Sequence, residues 1–245
     1  MQLAPQISEA HGAKSSPERP VRVASYNIRK CLGIDRRRDP ARIMRVIAGL
    51  GADIVALQEA DHRLGARPAA LPAHMARDHG YEPLAVGESH SLGWHGNAIL
   101  IRRGIGLLRV ERLHLPGLEP RGAVLAELAP GPVPLRLVAL HLGLRAADRR
   151  RQIAAIDRWL AGRAPMATVV AGDFNEWGPG HWPGLTLLAP GPSFHARLRL
   201  AALDRIGFCD RLQPQAMGLV ETGEAARASD HLPIWADFRP RDTAG

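Results

Sequence analysis

The chain is poorest in cysteine, lysine and long apolar runs. Only two cysteines occur in 245 residues, Cys31 and Cys209, far apart in sequence. That leaves no metal-type cysteine pair, and it permits one disulfide without demanding it. Lysine occurs only at Lys14 and Lys30, so nearly all of the 32 basic residues are arginine. No apolar run approaches the length of a membrane span, so no stable membrane insertion is expected. Residues 1–20 lack the apolar core of a signal peptide, and a cytoplasmic location is the expectation. No internal repeat and no low-complexity linker divides the chain. A disordered tail over 1–20 and a single domain over 21–240 are expected, in a monomer.

What is present is ordinary globular material: 46% hydrophobic and 23% charged residues, enough for one large core. The formal net charge is +8. Within residues 1–20, Lys14 and Arg19 are balanced by Glu9 and Glu18, so the excess belongs to the folded part. A basic domain suits polyanions such as nucleic acid, anionic lipid or phosphorylated metabolites. The preference for Arg, together with abundant Ala, Gly and Pro, also reads as a GC-rich genome. The charge is therefore weak evidence about substrate.

The first seven residues after the tail, Val21 to Asn27, read as a strand ending in a polar residue. Asp39-Pro40 opens a helix, with Asp at the N-cap and Pro at the first helical position. Ile43, Val46, Ile47 and Leu50 share its apolar face, and Gly51 closes it. A buried strand over 53–59 follows. A loop with Arg63, Arg67 and Pro68 leads to a helix near 70–79. Strands are predicted at 96–102, 105–114, 122–128 and 134–141, with short turns that imply antiparallel neighbours. Residues 146–160 form a helix with Ile153, Ile156 and Leu160 on one side and a solvated face of arginines opposite. Further strands fall at 168–172, 203–208, 216–221 and 232–238, with a loop-rich stretch over 177–203. Many strands and few helices suggest a four-layer α/β/β/α sandwich, two mixed sheets flanked by helices.

The chain is organised around Thr168 to Glu176, Thr-Val-Val-Ala-Gly-Asp-Phe-Asn-Glu. The apolar start suits a strand buried on both faces, and Gly172 reads as the break in that run. Asp173 and Asn175 follow two apart. They are either a pair of site residues at a strand end or an Asx turn, and this stretch alone leaves the two readings level. The tie is broken by recurrence. Asn27, Glu59, His141, Asp230 and His231 also sit at strand ends or in short polar turns.

Together these side chains supply what phosphate-ester hydrolysis needs. Mg²⁺ prefers oxygen ligands, and Asn27, Glu59 and Asp230 offer them. A positioned water needs a base, for which Asp173 and His231 are suited. Charge building on the phosphoryl oxygens needs donors, and Asn175 and His141 fit.

Asn27, Gln58-Glu59, His141-Leu-Gly, Gly172-Asp-Phe-Asn-Glu176, Leu203-Asp-Arg-Ile206 and Ser229-Asp-His-Leu-Pro233 occur in this order. The series resembles the motifs of the endonuclease/exonuclease/phosphatase superfamily over about residues 21–239. That superfamily includes deoxyribonucleases, abasic-site endonucleases, neutral sphingomyelinases, inositol polyphosphate phosphatases and deadenylases. The resemblance implies a four-layer sandwich and hydrolysis that depends on Mg²⁺ or Mn²⁺. Carried over by position, Asn27 and Glu59 resemble metal ligands, and Asp230 a carboxylate that holds or orients the metal site. Asp173 and Asn175 resemble the water-orienting and phosphate-binding pair. His231 resembles the catalytic histidine, Asp204 the carboxylate that orients it, and His141 the histidine that contacts the phosphate. Arg121 matches either an arginine near the phosphate or a structural ion pair.

Two departures matter. The abasic-site branch carries Tyr where this chain has His141, which disfavours that branch. The deoxyribonuclease branch pairs this histidine with a Glu, and Asn97 stands in that place here; it can orient His141 but cannot stabilise its cation as a carboxylate would. Gly143-Leu-Arg145 with Arg149 and Gln152 resembles the branches that cleave lipids and small phosphoesters. The expected substrate is therefore a small or lipid-like phosphoester, with DNA or RNA close behind. Two other classes remain in view: a non-catalytic phosphate-binding module, and a membrane-surface protein using arginine patches. All eight site positions carry workable chemistry, which favours the enzyme. His62, His95 and His195, and the loop residues Trp94, Trp177 and Trp182, are expected to be solvated histidines and loop-capping hydrophobes.

Overall fold

The computed structural model describes residues 19–62, 68–88 and 90–241. The expected tail therefore falls almost wholly outside the described residues, as do Arg63 and Arg67. The elements are β1 (Val21–Asn27), α1 (Pro40–Gly49), β2 (Ile54–Gln58), α2 (Ala73–Asp78), β3 (Tyr81–Pro83), β4 (Ala98–Arg102), β5 (Gly106–Leu115) and β6 (Arg121–Ala129). They continue with β7 (Leu135–His141), α3 (Ala146–Ala161), β8 (Ala167–Asp173), β9 (Thr186–Leu188), β10 (Asp204–Phe208), β11 (Leu212–Leu219), α4 (Ala225–Ala228) and β12 (Ile234–Pro240). No described helix is long and apolar enough to cross a membrane.

Two six-stranded sheets form, ordered β11-β12-β1-β2-β4-β3 and β5-β6-β7-β8-β10-β9. Both are mixed. Each holds one parallel pair, β1 with β2 and β7 with β8, among antiparallel neighbours. Val23, Ile54, Ile99, Val124, Leu137 and Val169 belong to the cluster between the sheets. The outer face of the first sheet packs Tyr26, Val55 and Leu57 against Ile43, Met44 and Ile47 of α1. The outer face of the second packs Val138, Leu140 and Val170 against Ile156 of α3. The α/β/β/α sandwich is the expected one.

The start of α1 follows its local chemistry: the Asp39 side chain accepts from the Arg42 N–H at 2.8 Å, with Pro40 next to it. Other expectations need correction. β4 and β5 follow each other in sequence but lie in different sheets, so they are not antiparallel neighbours. β11 begins four residues before the predicted strand. Gly172 does not break β8; it lies within it. A Cβ there would stand 1.9 Å from the Leu140 carbonyl oxygen, so the close approach of β7 and β8 requires glycine. The α3 arginines are not all solvated. Arg149 is buried and donates to Glu176 at 2.9 Å and to the Leu144 carbonyl at 2.6 Å. Gln152 is also buried, and its amide ties the Gly143 N–H to the Pro116 carbonyl.

The two thiols lie apart in the fold. Cys31 is buried and donates to the Ala70 carbonyl, while Cys209 accepts from the Thr168 N–H.

Asp53, at the entry to β2, is a buried anchor. It accepts from the Arg19 guanidinium at 2.9 and 2.5 Å and from the Arg22 N–H at 2.9 Å. Burial alone would raise its pKa, but Arg19 and the Arg22 N–H outweigh burial and hold it below the usual carboxylate value. A lowered folded-state pKa gives stability that is present above the unfolded value and lost as pH falls through the folded one. Asp53→Asn is expected to cost about 1–3 kcal/mol at neutral pH. The gap to wild type should close as pH falls towards ~3. Urea unfolding at both pH values checks this.

Candidate active site

The carboxyl ends of the two parallel pairs open at one end of the sandwich. Asn27 ends β1 opposite Gln58 of β2, and His141 ends β7 opposite Asp173 of β8. Asp204 starts β10 in antiparallel register with Asp173. The segment before β12 brings Ser229, Asp230 and His231. Its approach is fixed by Ser229 Oγ, which donates to the Asn27 carbonyl at 2.7 Å.

Asp173 is the hub. Its Oδ2 accepts from Asn27 Nδ2 at 3.0 Å and lies 3.3 Å from His141 Nε2 and 3.7 Å from His231 Nε2. Its Oδ1 accepts from the Asn175 N–H at 2.9 Å. The Asx turn and the site are thus one structure: the turn fixes the carboxylate. Asp173 is buried, and burial raises its pKa, with His231 opposing and Asp204 reinforcing the rise.

His231 Nδ1 lies 2.7 Å from Asp204 Oδ2, and Ser193 Oγ donates to the same oxygen at 2.6 Å. Burial disfavours a charged ring, but the Asp204 carboxylate outweighs burial, aided by Asp173 and Asp230, and the His231 pKa is pushed up. A ring held charged in this way is a donor towards the cleft. Phe194 packs on it at 5.0 Å between centroids.

A second group of oxygens flanks residues 27–30. Asn27 Oδ1 accepts from the Arg29 N–H at 3.1 Å, Arg29 Nε lies 3.2 Å from Asp230, and Lys30 Nζ pairs with Glu59. Glu59 has a positive φ of 53°, which turns the chain sharply beyond β2. Asn27, Glu59 and Asp230 offer oxygen donors only, and two of them are carboxylates already facing cationic side chains. That donor set fits a hard divalent ion. Asp173, Asp204 and His231 also present ligand atoms within 4.8 Å of one another. There, however, Asp204 and His231 are engaged with each other at 2.7 Å.

Several predicted residues make structural contacts. Arg121 is buried in an ion pair with Glu119 at 2.6 Å, the structural alternative of its two readings. The Asn97 amide donates to the carbonyls of Gly122 at 2.9 Å and Trp94 at 3.3 Å. Its Oδ1 is buried without a hydrogen-bond partner, so Asn97 braces the β4 entry and does not orient His141. Asn175 donates its side-chain amide to the Leu142 carbonyl at 2.8 Å, tying the loops after β7 and β8 together. His95 stands beside Trp94 and 3.2 Å from His114, and His195 packs on Phe194. Trp182 is a buried loop cap on Phe174, whereas Trp177 stands 65% exposed. Sequence reading missed Ser193, whose loop carries no pattern. It also assigned nothing to Ser229, although Ser229 stands in a quoted motif.

A four-layer sandwich whose two sheets open on a shared carboxylate–histidine cluster is the architecture of a class of phosphoester hydrolases. The chain belongs to the endonuclease/exonuclease/phosphatase family, whose model matches residues 24–231. It is 27% identical over 248 residues to the uncharacterized protein YbhP of Escherichia coli, covering 89% of this chain and 95% of that protein. Among solved structures it is similar to the human Nocturnin catalytic domain with bound sulfate. That match has a TM-score of 0.70 and 20% identity, and covers 91% of this chain and 94% of that one. It is similar as well to a mannosyl-6-phosphatase of Bacteroides thetaiotaomicron, with a TM-score of 0.70 and 16% identity, covering 89% and 99%.

Proposed function

We propose that the protein hydrolyses a phosphate ester by attack of water, with Mg²⁺ or Mn²⁺ held by Asn27, Glu59 and Asp230. The observation that carries this reading is the Asp173 carboxylate, set between Asn27, His141 and His231 at 3.0, 3.3 and 3.7 Å. When bound, the metal supplies positive charge to the phosphoryl and leaving oxygens. Asp173, fixed by the Asn175 N–H and raised by burial, orients the water and takes its proton. His231, held charged by Asp204, donates to a phosphoryl oxygen. His141 donates to a second oxygen. Asn175 contributes by locking the turn and, once its amide turns from Leu142, by touching the phosphate. Asp173 and His231 thus have environments that separate base from cationic donor.

A small or lipid-like phosphoester is the preferred substrate, since His141 and the Gly143-Leu-Arg145 stretch lead away from the abasic-site branch. The net charge of +8 favours a second reading, a DNA or RNA nuclease of the same fold. An activity panel tests both: plasmid DNA, single-stranded RNA, phospholipids, inositol phosphates and nucleotides, each with Mg²⁺ and with chelator. Chelator is expected to abolish turnover, Mg²⁺ to restore it, and Glu59→Ala to remove it with the fold intact. Full activity in chelator would refute the metal assignment. Plasmid nicking that falls steeply with salt would move the substrate to nucleic acid, because a steep slope reports several phosphate contacts. No turnover of any ester by a folded, Mg²⁺-loaded protein would leave the binding module.

A further inference from the structure

Among the described residues, nine large apolar side chains stand exposed, and five of them lie at the active-site end. Leu118 is in the β5–β6 turn, Leu144 follows His141, and Trp177 follows Asn175. Leu198 and Leu200 sit in the loop between Phe194 and β10. Exposure runs from 57% to 71% across the five. Leu107, Leu108 and Val133 are at the opposite end, because β5 starts there and the β6–β7 turn lies there.

Leu118, Leu144, Trp177 and Leu198 are joined by local contacts into one arc. The Leu144 N–H donates to Glu119, the neighbour of Leu118. The Leu144 carbonyl accepts from Arg149, which pairs with Glu176, the neighbour of Trp177. Trp177 meets Phe194 edge-on at 6.4 Å, and the Leu198 N–H donates to the carbonyl of His195. The arc starts beside His141 and ends beside His231.

Its glutamates are engaged. Glu119, Glu176 and Glu221 each pair with an arginine, respectively Arg121, Arg149 and Arg199. Arg145 and Arg197 stand exposed on the same rim, and neither has an ion-pair partner among the described residues. Leucines and a tryptophan beside exposed arginines suit an anionic lipid surface, where apolar tips enter the acyl boundary and guanidinium groups meet headgroups. Nucleic acid would use the arginines but offers the leucines nothing.

We infer that this rim docks on an anionic phospholipid surface and that the phosphoester cleaved is presented there. The substrate half of the inference rests on the phosphoesterase reading; the docking half does not. It follows that bilayer attachment precedes cleavage and that the rim sets apparent KM.

Flotation of the full chain with phosphatidylcholine vesicles, with and without phosphatidylglycerol, tests the docking. The protein is expected to float with the anionic vesicles, and Asp173→Asn to float equally, since docking needs no turnover. Leu118→Ser and Leu198→Ser should each lower partition roughly tenfold, the value of one buried leucine. Their thermal unfolding and their hydrolysis of a soluble chromogenic diester should stay as in wild type. Trp177 emission should shift to the blue on vesicles, a shift absent in Trp177→Phe. Wild type that ignores both vesicles, leucine variants that float equally, or binding to plasmid DNA with no binding to vesicles would each overturn the docking. Flotation without hydrolysis of any ester would sink the phosphoesterase reading and leave the docking standing.

Discussion

His231→Ala is expected to lower kcat by about 10²–10⁴-fold, and Asp204→Ala to come close to it. The reason is geometric. Asp204 reaches no other proposed site residue by hydrogen bond; its Oδ2 is on His231 at 2.7 Å and on Ser193 at 2.6 Å. Its main contribution should therefore pass through the orientation and charge of His231, with its field on Asp173 a lesser second route. Residues that act as one unit give strongly non-additive losses. The double variant should be little worse than either single one. Additive losses in the cycle would give Asp204 a separate role, and a loss under about tenfold for His231→Ala would remove His231 from the reaction. Asp204→Asn makes a sharper probe, because it keeps the size and exchanges an acceptor for an amide that can favour the wrong tautomer.

Gly172→Ala should damage both fold and activity. The added methyl would meet the Leu140 carbonyl oxygen at 1.9 Å and Leu140 Cδ1 at 3.0 Å. Backbone cannot step aside as a side-chain tip can, so β7 and β8 must part. Overpacking of this kind costs about 1–3 kcal/mol, which for a chain of this size is about 2–4 °C of Tm per kcal/mol. The strands that part carry His141 and Asp173 at their ends, in register with each other. Activity should fall by more than the melting shift alone accounts for. Scanning calorimetry beside initial rates checks this, and a variant with wild-type Tm and rate would show that the strand pair yields freely.

The sequence exposed most of the strands because they are buried runs with polar ends. Val21 to Asn27 and Ala167 to Asp173 are buried except at the start of the first, so their apolar content carries the signal. The α1 cap was readable for the same reason: Asp39 acts on the Arg42 N–H three residues away. Sheet membership was not readable. The turn from β4 to β5 looks like a hairpin locally, and only tertiary packing sends it to the other sheet. Short elements such as β3, β9 and α4 hold too few residues to show a period. Burial of Arg149 depends on Glu176, twenty-seven residues on, which helix periodicity cannot contain. The eight motif positions were visible as types and order. Whether Asn97 braces Gly122 or orients a histidine is a matter of where one amide points, and its neighbours in sequence do not say.

The Asn27–Asp173 hydrogen bond joins the end of β1 in one sheet to the end of β8 in the other, and His231–Asp204 spans the same divide. The proposed reaction centre is therefore a gauge of how the two sheets sit on each other. A slip of the interior that leaves every strand paired within its own sheet would keep the far-ultraviolet spectrum and still pull both links apart. Conservative changes deep in the interlayer, at Ala56, Ala139 or Ala171, reach chemistry by that route although none lies at the opening. Directed variation of this enzyme would find its tolerance limits inside the molecule sooner than at its mouth.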